Sequence, residues 1–197
     1  MNGMQTARLV LASGSPRRRE LLDQIGAHYQ VMVADVDESV LEQEMPAAYV
    51  QRLATLKAIQ VSRVVEFEAV VLGADTAVVM DQVILGKPET PAHAEEMLNL
   101  LSGQTHQVYS AVSVVMPDQT VHQCMSVSDV TFSTLSTRWI REYCATTEPL
   151  DKAGAYAIQG CGGVFVERIE GSYSGVVGLP VFETARLLRR AGLEILT

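Results

Sequence analysis

The stretch Leu9-Val10-Leu11-Ala12-Ser13-Gly14-Ser15-Pro16-Arg17-Arg18-Arg19-Glu20-Leu21-Leu22 runs from an apolar segment of strand length, through a Ser/Gly turn, into a helix with proline at its first position. Three arginines fall in the first turn of that helix. Unpaired N–H groups there carry partial positive charge, so each cation costs roughly 0.3–1 kcal/mol. An anion bound at the turn reverses the sign. Ser13, Gly14 and Ser15 offer hydroxyl and backbone donors, and Arg17 and Arg18 add fork-shaped donors that match phosphate oxygens. Read alone, the segment is equally served by a solvated basic helix start capped by Ser15.

Outward from this unit the pattern is that of an α/β protein. Arg8 to Ala12 reads as a strand, Pro16 to Ile25 as a helix closed by Gly26, and Tyr29 to Val36 as a second strand, a β–α–β start. Pro46 to Val64 has helical apolar spacing after the acidic segment Asp35 to Glu44. Ala69 to Ala74 is a short apolar run suited to a strand buried on both faces, and it ends in Asp75. Thr76 to Met80 and Val83 to Leu85, joined by Asp81-Gln82, read as a hairpin, and Pro91 to Leu101 as a helix stopped by Gly103. Gln107 to Met116 and Thr120 to Phe132 alternate as an antiparallel pair. A helix over Ser136 to Ala145, the Gly-rich segment Gly154 to Gly163, a strand over Val164 to Ile169 and a helix over Pro180 to Ala191 complete the chain. With no repeat or linker to force a boundary, we expect one mixed, twisted sheet flanked by helices. Two lobes, roughly residues 1–102 and 103–197, would enclose a central cleft. The leader Met1 to Ala7, in which Met4 is an alternative start, is expected to be disordered and to take no part in chemistry.

With 197 residues, 48% hydrophobic and 19% charged, the chain can bury a substantial core. The net charge of -8 argues against nonspecific nucleic-acid or membrane-surface partners, because sparse basic residues would have to overcome the overall repulsion. No signal pattern or spanning apolar stretch is present, which points to the cytoplasm. Cys124, Cys144 and Cys161 are too widely spaced for a zinc site or a disulfide framework, and read as buried thiols.

The charged residues are distributed unevenly. Lys57, Lys87 and Lys152 are the only lysines, and the latter two lie in the loops Gly86-Lys87-Pro88 and Asp151-Lys152-Ala153-Gly154. Each alone reads as a snorkelling or solvated side chain. Together with the arginines after Ser15 they fit a convergent polyphosphate site better. Asp75, at the end of a buried strand, is placed to bind a divalent cation or orient water, and Glu38 is a candidate second ligand. A turn-capping Asp75 and a solvated acidic loop are the ordinary alternatives. The run Ile158-Gln159-Gly160-Cys161-Gly162-Gly163 fits neither a dinucleotide fingerprint nor a P-loop, but its glycines permit close approach and Gln159 offers a donor and an acceptor to a base edge.

Ser13-Gly14-Ser15-Pro16-Arg17-Arg18, Gly73-Ala74-Asp75-Thr76, Gly86-Lys87-Pro88, Ser102-Gly103-Gln104-Thr105-His106 and Asp151-Lys152-Ala153-Gly154-Ala155-Tyr156, followed by Ile158-Gln159-Gly160 and Gly178-Leu179-Pro180, resemble in order the Maf family of nucleoside triphosphate pyrophosphatases. The resemblance implies an inosine-triphosphatase-like fold and metal-dependent (Mg²⁺ or Mn²⁺) hydrolysis between the α- and β-phosphates. It implies Asp75 as proton acceptor and Arg17, Thr76 and Gln159 as substrate-selecting residues. It implies phosphate and metal contacts from Ser13, Ser15, Arg18, Glu38, Lys57, Lys87 and Lys152. The combination looks like the branch acting on dTTP and UTP rather than on 7-methyl-GTP, where an aromatic stands in place of Arg17. A homodimer is also implied. Two rival functions, a nucleotide sensor without turnover and a small-phosphate hydrolase, share the phosphate cradle; only the second would lack any use for the base-reading residues.

Overall fold

The computed structural model describes residues 8–196, and the expectation for the leader Met1 to Ala7 lies outside them. In chain order the elements are β1 (Arg8–Leu11), α1 (Pro16–Gln24), β2 (Tyr29–Val31), α2 (Pro46–Ser62), β3 (Ala69–Met80), β4 (Val83–Leu85) and α3 (Pro91–Leu101). There follow β5 (Thr105–Val115), β6 (Val121–Phe132), α4 (Thr137–Cys144), β7 (Val166–Glu170), α5 (Tyr173–Val177) and α6 (Val181–Arg190). The strands form one seven-stranded mixed sheet in the order β2-β1-β3-β5-β6-β7, with β4 also paired to β3. The expected class, a mixed sheet flanked by helices, is what the chain adopts.

One difference decides where the site lies. Asp75 does not close a strand; β3 continues through it to Met80, because β5 pairs antiparallel with β3 without a break from Val71 to Val79. The opposite edge of β3 is interrupted. β1 runs parallel to it only through Leu72, and β4 takes over only at Val78. Residues 73–77 therefore line a notch between the carboxyl end of β1 and the start of β4. Asp75 and Thr76 sit in that notch and, by strand alternation, serve opposite faces of the sheet.

β2 is also shorter than its alternating pattern suggests. Its partner β1 has only four residues before the Ser/Gly turn, so beyond Val31 there is nothing left to pair with. The strand after the Gly-rich segment begins at Val166 rather than Val164, since residues 161–165 form a 3-10 turn. Helix α5 was not anticipated; it is a single short turn started by the Ser172 hydroxyl, which accepts from the Gly175 N–H. The Asp81-Gln82 hairpin is present as read, with both residues at positive φ as a tight two-residue turn requires.

The core lies on both faces of the sheet. On one face, one cluster joins Val78, Leu98 and Leu101 to Phe132, Ile140 and Phe165, and another joins Leu9, Leu22 and Leu72 to Val112, Leu179 and Leu188; on the other face, Ala54 and Ala58 of α2 join clusters with Val71, Ala77 and Val79. Helix α2 lies unusually close on β3. A side-chain carbon at Gly73 would stand 2.1 Å from the Ala54 carbonyl oxygen and 3.0 Å from the Ala58 Cβ, so only glycine against two alanines permits this contact. That approach brings Lys57, the neighbour of Ala58, against Asp75.

Candidate functional site

Every residue expected to bind substrate or metal, except Lys152, lines one cleft of about 560 Å³ centred on the notch in β3. Its size falls in the range of small-molecule sites, roughly 300–1,000 Å³. At its base the Lys57 ammonium is 2.7 Å from Asp75 Oδ1 and 2.6 Å from Glu38 Oε1. Lys57 and Asp75 are buried, whereas Glu38 is open to the cleft. Burial pushes the Asp75 carboxyl above its ordinary pKa, outweighing the cations Lys57 and Arg18 that favour its ionised form. Glu38 moves the other way: partial burial opposes ionisation, but the Lys57 hydrogen bond and the charges of Lys57, Lys87 and Arg18 carry it below the usual value. Two neighbouring carboxylates are thus driven apart in proton affinity, with Asp75 the stronger base of the two.

Glu38 belongs to an irregular segment, and α2 is what holds it in place. The Tyr49 hydroxyl donates to the Glu38 carbonyl at 3.0 Å, Arg52 reaches the Ser39 carbonyl at 2.9 Å and pairs with Glu44, and the Gln60 amide donates to the Asp35 carbonyl at 2.7 Å. Tyr49 itself faces the cleft, its hydroxyl pushed up to about 12 by burial and by the charges of Asp75 and Glu38. Tyr49 was not among the residues expected in the site; it stands two helical turns before Lys57, on the same side of α2.

At the other end lies the start of α1. Ser15 makes no side-chain cap and no acidic residue occupies the first turn, so the reading of Ser15 as a satisfied cap does not hold. The Ser13 hydroxyl instead accepts from the Ser15 N–H at 3.2 Å and from Arg18 Nη1 at 3.1 Å. Arg18 Nε donates to the Gly178 carbonyl at 2.9 Å, which also accepts the Thr76 hydroxyl at 3.3 Å. Thr76 Oγ1 is 2.8 Å from Ser110 Oγ, its register partner on β5, and Ser110 in turn donates to the Gly175 carbonyl at 2.6 Å. Gly178 was noted only as part of a motif; the structure shows its carbonyl orienting two site side chains. Burial lowers the pKa of both Arg17 and Arg18, Asp151 opposing it most at Arg17 and Asp75 at Arg18. Both remain cationic, since guanidinium does not lose its proton in proteins. Arg19 is exposed and points away from the cleft.

Lys87, exposed on the rim, faces the same space, and its loop is tied to the far wall where the Gly154 N–H donates to the Gly86 carbonyl at 3.1 Å. Lys152 is placed differently: its ammonium pairs with Asp151, and Asp151 rather than Lys152 forms cleft wall. The exposed side chain of Gln159 completes that wall. Behind it stands an aromatic stack in which Phe132 meets Tyr156 at 4.8 Å and Tyr143 meets Phe165 at 5.0 Å, edge to face, with Tyr156 bonded to the buried His106 at 2.9 Å.

Among the described residues no cluster of three or more His, Cys, Asp or Glu forms a self-sufficient metal cage. With Glu38 Oε1 and Asp75 Oδ1 turned to Lys57, the second oxygen of each carboxylate could serve a hard divalent cation that completes its shell with water and substrate phosphate, the ordinary mode for Mg²⁺.

The family model for Maf-like protein matches residues 8–191, and the chain belongs to that family. It is 52% identical over 191 residues to the dTTP/UTP pyrophosphatase of Pseudoalteromonas atlantica, spanning 94% of this chain and 97% of that one. It is 51% identical over 187 residues to the dTTP/UTP pyrophosphatase of Vibrio cholerae, spanning 95% of this chain and 100% of that one. A solved structure of a nucleoside-triphosphatase, a dITP/XTP pyrophosphatase from Mycobacterium abscessus, superposes over 94% of each chain with a TM-score of 0.49 at 14% identity, a likeness too slight to bear on function.

Proposed function

We infer that the protein is a nucleoside triphosphate pyrophosphatase that cleaves dTTP and UTP to the monophosphate and pyrophosphate. The observation that carries this reading is the pairing of Asp75 and Glu38 on one lysine, in the same cleft as the uncapped, arginine-bearing start of α1. Relatives of about 50% identity and nearly full coverage carry the name dTTP/UTP pyrophosphatase, in agreement with it.

Asp75, with its raised proton affinity, takes a proton from the attacking water as the new oxygen–phosphorus bond forms at the α-phosphorus. The bond from that phosphorus to the bridging oxygen breaks, and pyrophosphate leaves with the electron pair. Arg18, Lys57 and Lys87 meet the charge that collects on it, the main demand of phosphoryl transfer. A divalent cation, held by Glu38 and Asp75, would neutralise phosphate charge. Ser13, Ser15 and the N–H groups of the α1 start hold phosphate oxygens, and Lys152 offsets the charge of Asp151, which would otherwise repel them. Arg17, Thr76 and Gln159 select the pyrimidine. The net charge of -8 favours such a small anion, locally held, over a polynucleotide. Cys124, Cys144 and Cys161 are free thiols, in keeping with a cytoplasmic enzyme, but of the three only Cys144 is buried, Cys124 being half-buried and Cys161 exposed. No described helix is long and apolar enough to cross a membrane.

The test is a panel of common and methylated nucleoside triphosphates with Mg²⁺ or Mn²⁺, pyrophosphate and orthophosphate being measured separately. Pyrophosphate from dTTP and UTP is expected. Orthophosphate alone would mean a different bond is cut, and binding without turnover across the panel would replace the enzyme with a sensor.

A further inference from the structure

Glu148 lies outside the cleft and outside every motif discussed so far, yet its carboxylate accepts hydrogen bonds from three groups. Oε1 receives the Tyr143 hydroxyl at 2.8 Å and the Gly162 N–H at 3.0 Å, and Oε2 receives the Cys161 N–H at 3.1 Å. The Tyr143 hydroxyl oxygen in turn accepts the Ala157 N–H at 3.2 Å. The carboxylate also packs flat on Gly160, where a side-chain carbon would lie 2.5 Å from Oε2. Both ends of a short span are therefore pinned, Ala157 on one side and Gly160 to Gly162 on the other. Ile158 and Gln159 are the residues between, and Gln159 is the one that presents its amide to the cleft.

The arrangement needs an anion. Two successive N–H groups at the start of the 3-10 turn Cys161–Phe165, which has no cap of its own, point at one acceptor together with a phenol. An ionised carboxylate has lone pairs for all three; a carboxamide would turn an NH₂ toward an N–H and leave both unsatisfied. Glu148 begins a separate 3-10 turn, Glu148–Asp151, so the same residue joins the Asp151 part of the wall to the Gln159 part.

We propose that Glu148 is a positioning residue for substrate selection: through Tyr143 and the N–H groups of Cys161 and Gly162 it sets the backbone from which Gln159 reads the base. This rests on the reading of Gln159 given above. The phosphate end of the cleft is held by Lys57, Arg18 and Ser13, none of which touches Glu148. Base and phosphate recognition are therefore separable by mutation.

The experiment compares wild type, Glu148→Gln, Tyr143→Phe, Gln159→Ala and the Glu148→Gln/Gln159→Ala pair on UTP, dTTP, CTP and ATP. Inorganic tripolyphosphate serves as a baseless competitive inhibitor, and thermal melts verify folding. Glu148→Gln is expected to raise KM for UTP and dTTP about tenfold, as for loss of one charge-assisted hydrogen bond, with kcat within about twofold. Preference over CTP and ATP should fall by a similar factor, while the tripolyphosphate inhibition constant stays put. In the background of Gln159→Ala the same substitution should add nothing further. Tyr143→Phe removes two links of the same network and should act in the same direction, so a Glu148 variant that fails to fold does not leave the matter open. Equal weakening of tripolyphosphate, an additive double mutant, or full base preference in folded Glu148→Gln and Tyr143→Phe overturns the proposal alone. A wild-type enzyme without base preference overturns the assignment of Gln159 and the proposal with it.

Discussion

The two walls of the cleft hold their ligand-facing groups by opposite means. On the wall built from β1, α1, α2 and β3, the working groups are charged side chains, most of them on regular elements, held by ion pairs such as Lys57 with Asp75; Glu38, from an irregular segment, joins them by pairing with the same lysine. On the wall built from residues 148–162, regular structure is nearly absent: two 3-10 turns precede Tyr156 and a third begins at Cys161. There the backbone itself is held, by a carboxylate that meets consecutive N–H groups and by aromatic rings packed edge to face behind the loop. The contrast follows the two tasks. A triphosphate is bound by field and by donors that tolerate small displacements, whereas a base edge must meet its donor and acceptor within tenths of an ångström.

The comparison is most severely tested at Asp75. Asp75→Asn removes the proton acceptor without altering shape, and is expected to lower kcat by about 10²–10⁴ while the melting temperature is kept, as pyrophosphate release and calorimetry would show. A variant with near-normal turnover would move the chemistry away from this wall. Next comes Gly73→Ala, whose added carbon would meet the Ala54 carbonyl oxygen at 2.1 Å. Pushing α2 off β3 should destabilise the fold by about 3 kcal/mol in urea unfolding and part Lys57 from Asp75.

On the loop wall the corresponding lever is His106, fully buried against Tyr156 and held by burial at about 4, down from 6.5. The unfolded chain takes up a proton near 6.5 and the folded one does not until near 4. The folded state is therefore at full strength above 6.5 and weakens as pH falls toward 4, by up to about 3 kcal/mol. His106→Gln should flatten this part of the stability profile, as urea midpoints at pH 7 and pH 4.5 would show. The smallest effect is expected within the arginine run. Arg19→Ala should change kcat/KM by less than about twofold, since Arg19 is exposed and turned away, while Arg18→Ala, which frees Ser13 and the Gly178 carbonyl, should lower it markedly.

The charged wall was largely legible in the sequence and the loop wall was not. Ser13, Arg18, Lys57, Lys87 and Asp75 announce themselves because charge is scarce in this chain and each stands in a short, chemically pointed motif. Tyr49 could be found from helical spacing to Lys57. Glu148 left no such trace: it precedes a proline in an ordinary acidic position, and its partners Cys161 and Gly162 follow thirteen and fourteen residues later through a path with no periodicity. Lys152 shows the reverse case, a motif residue whose ammonium turns to Asp151 while its neighbour forms the wall.

What the sequence determined by itself is what acts over a few residues. Apolar periodicity, prolines at helix starts and glycines at helix ends placed every helix except α5, the β3–β4 hairpin and the strand–turn–helix unit, since those preferences are local backbone and side-chain physics. Only the tertiary structure decided that Asp75 lies within a strand, because that depended on β5 pairing across it while β1 and β4 left the other edge open. Only the tertiary structure joined Lys57 to Asp75, through a helix–strand approach that Gly73, Ala54 and Ala58 make close enough. Contacts of this kind depend on which surfaces can approach after the elements form, and no window of neighbouring residues encodes that distance.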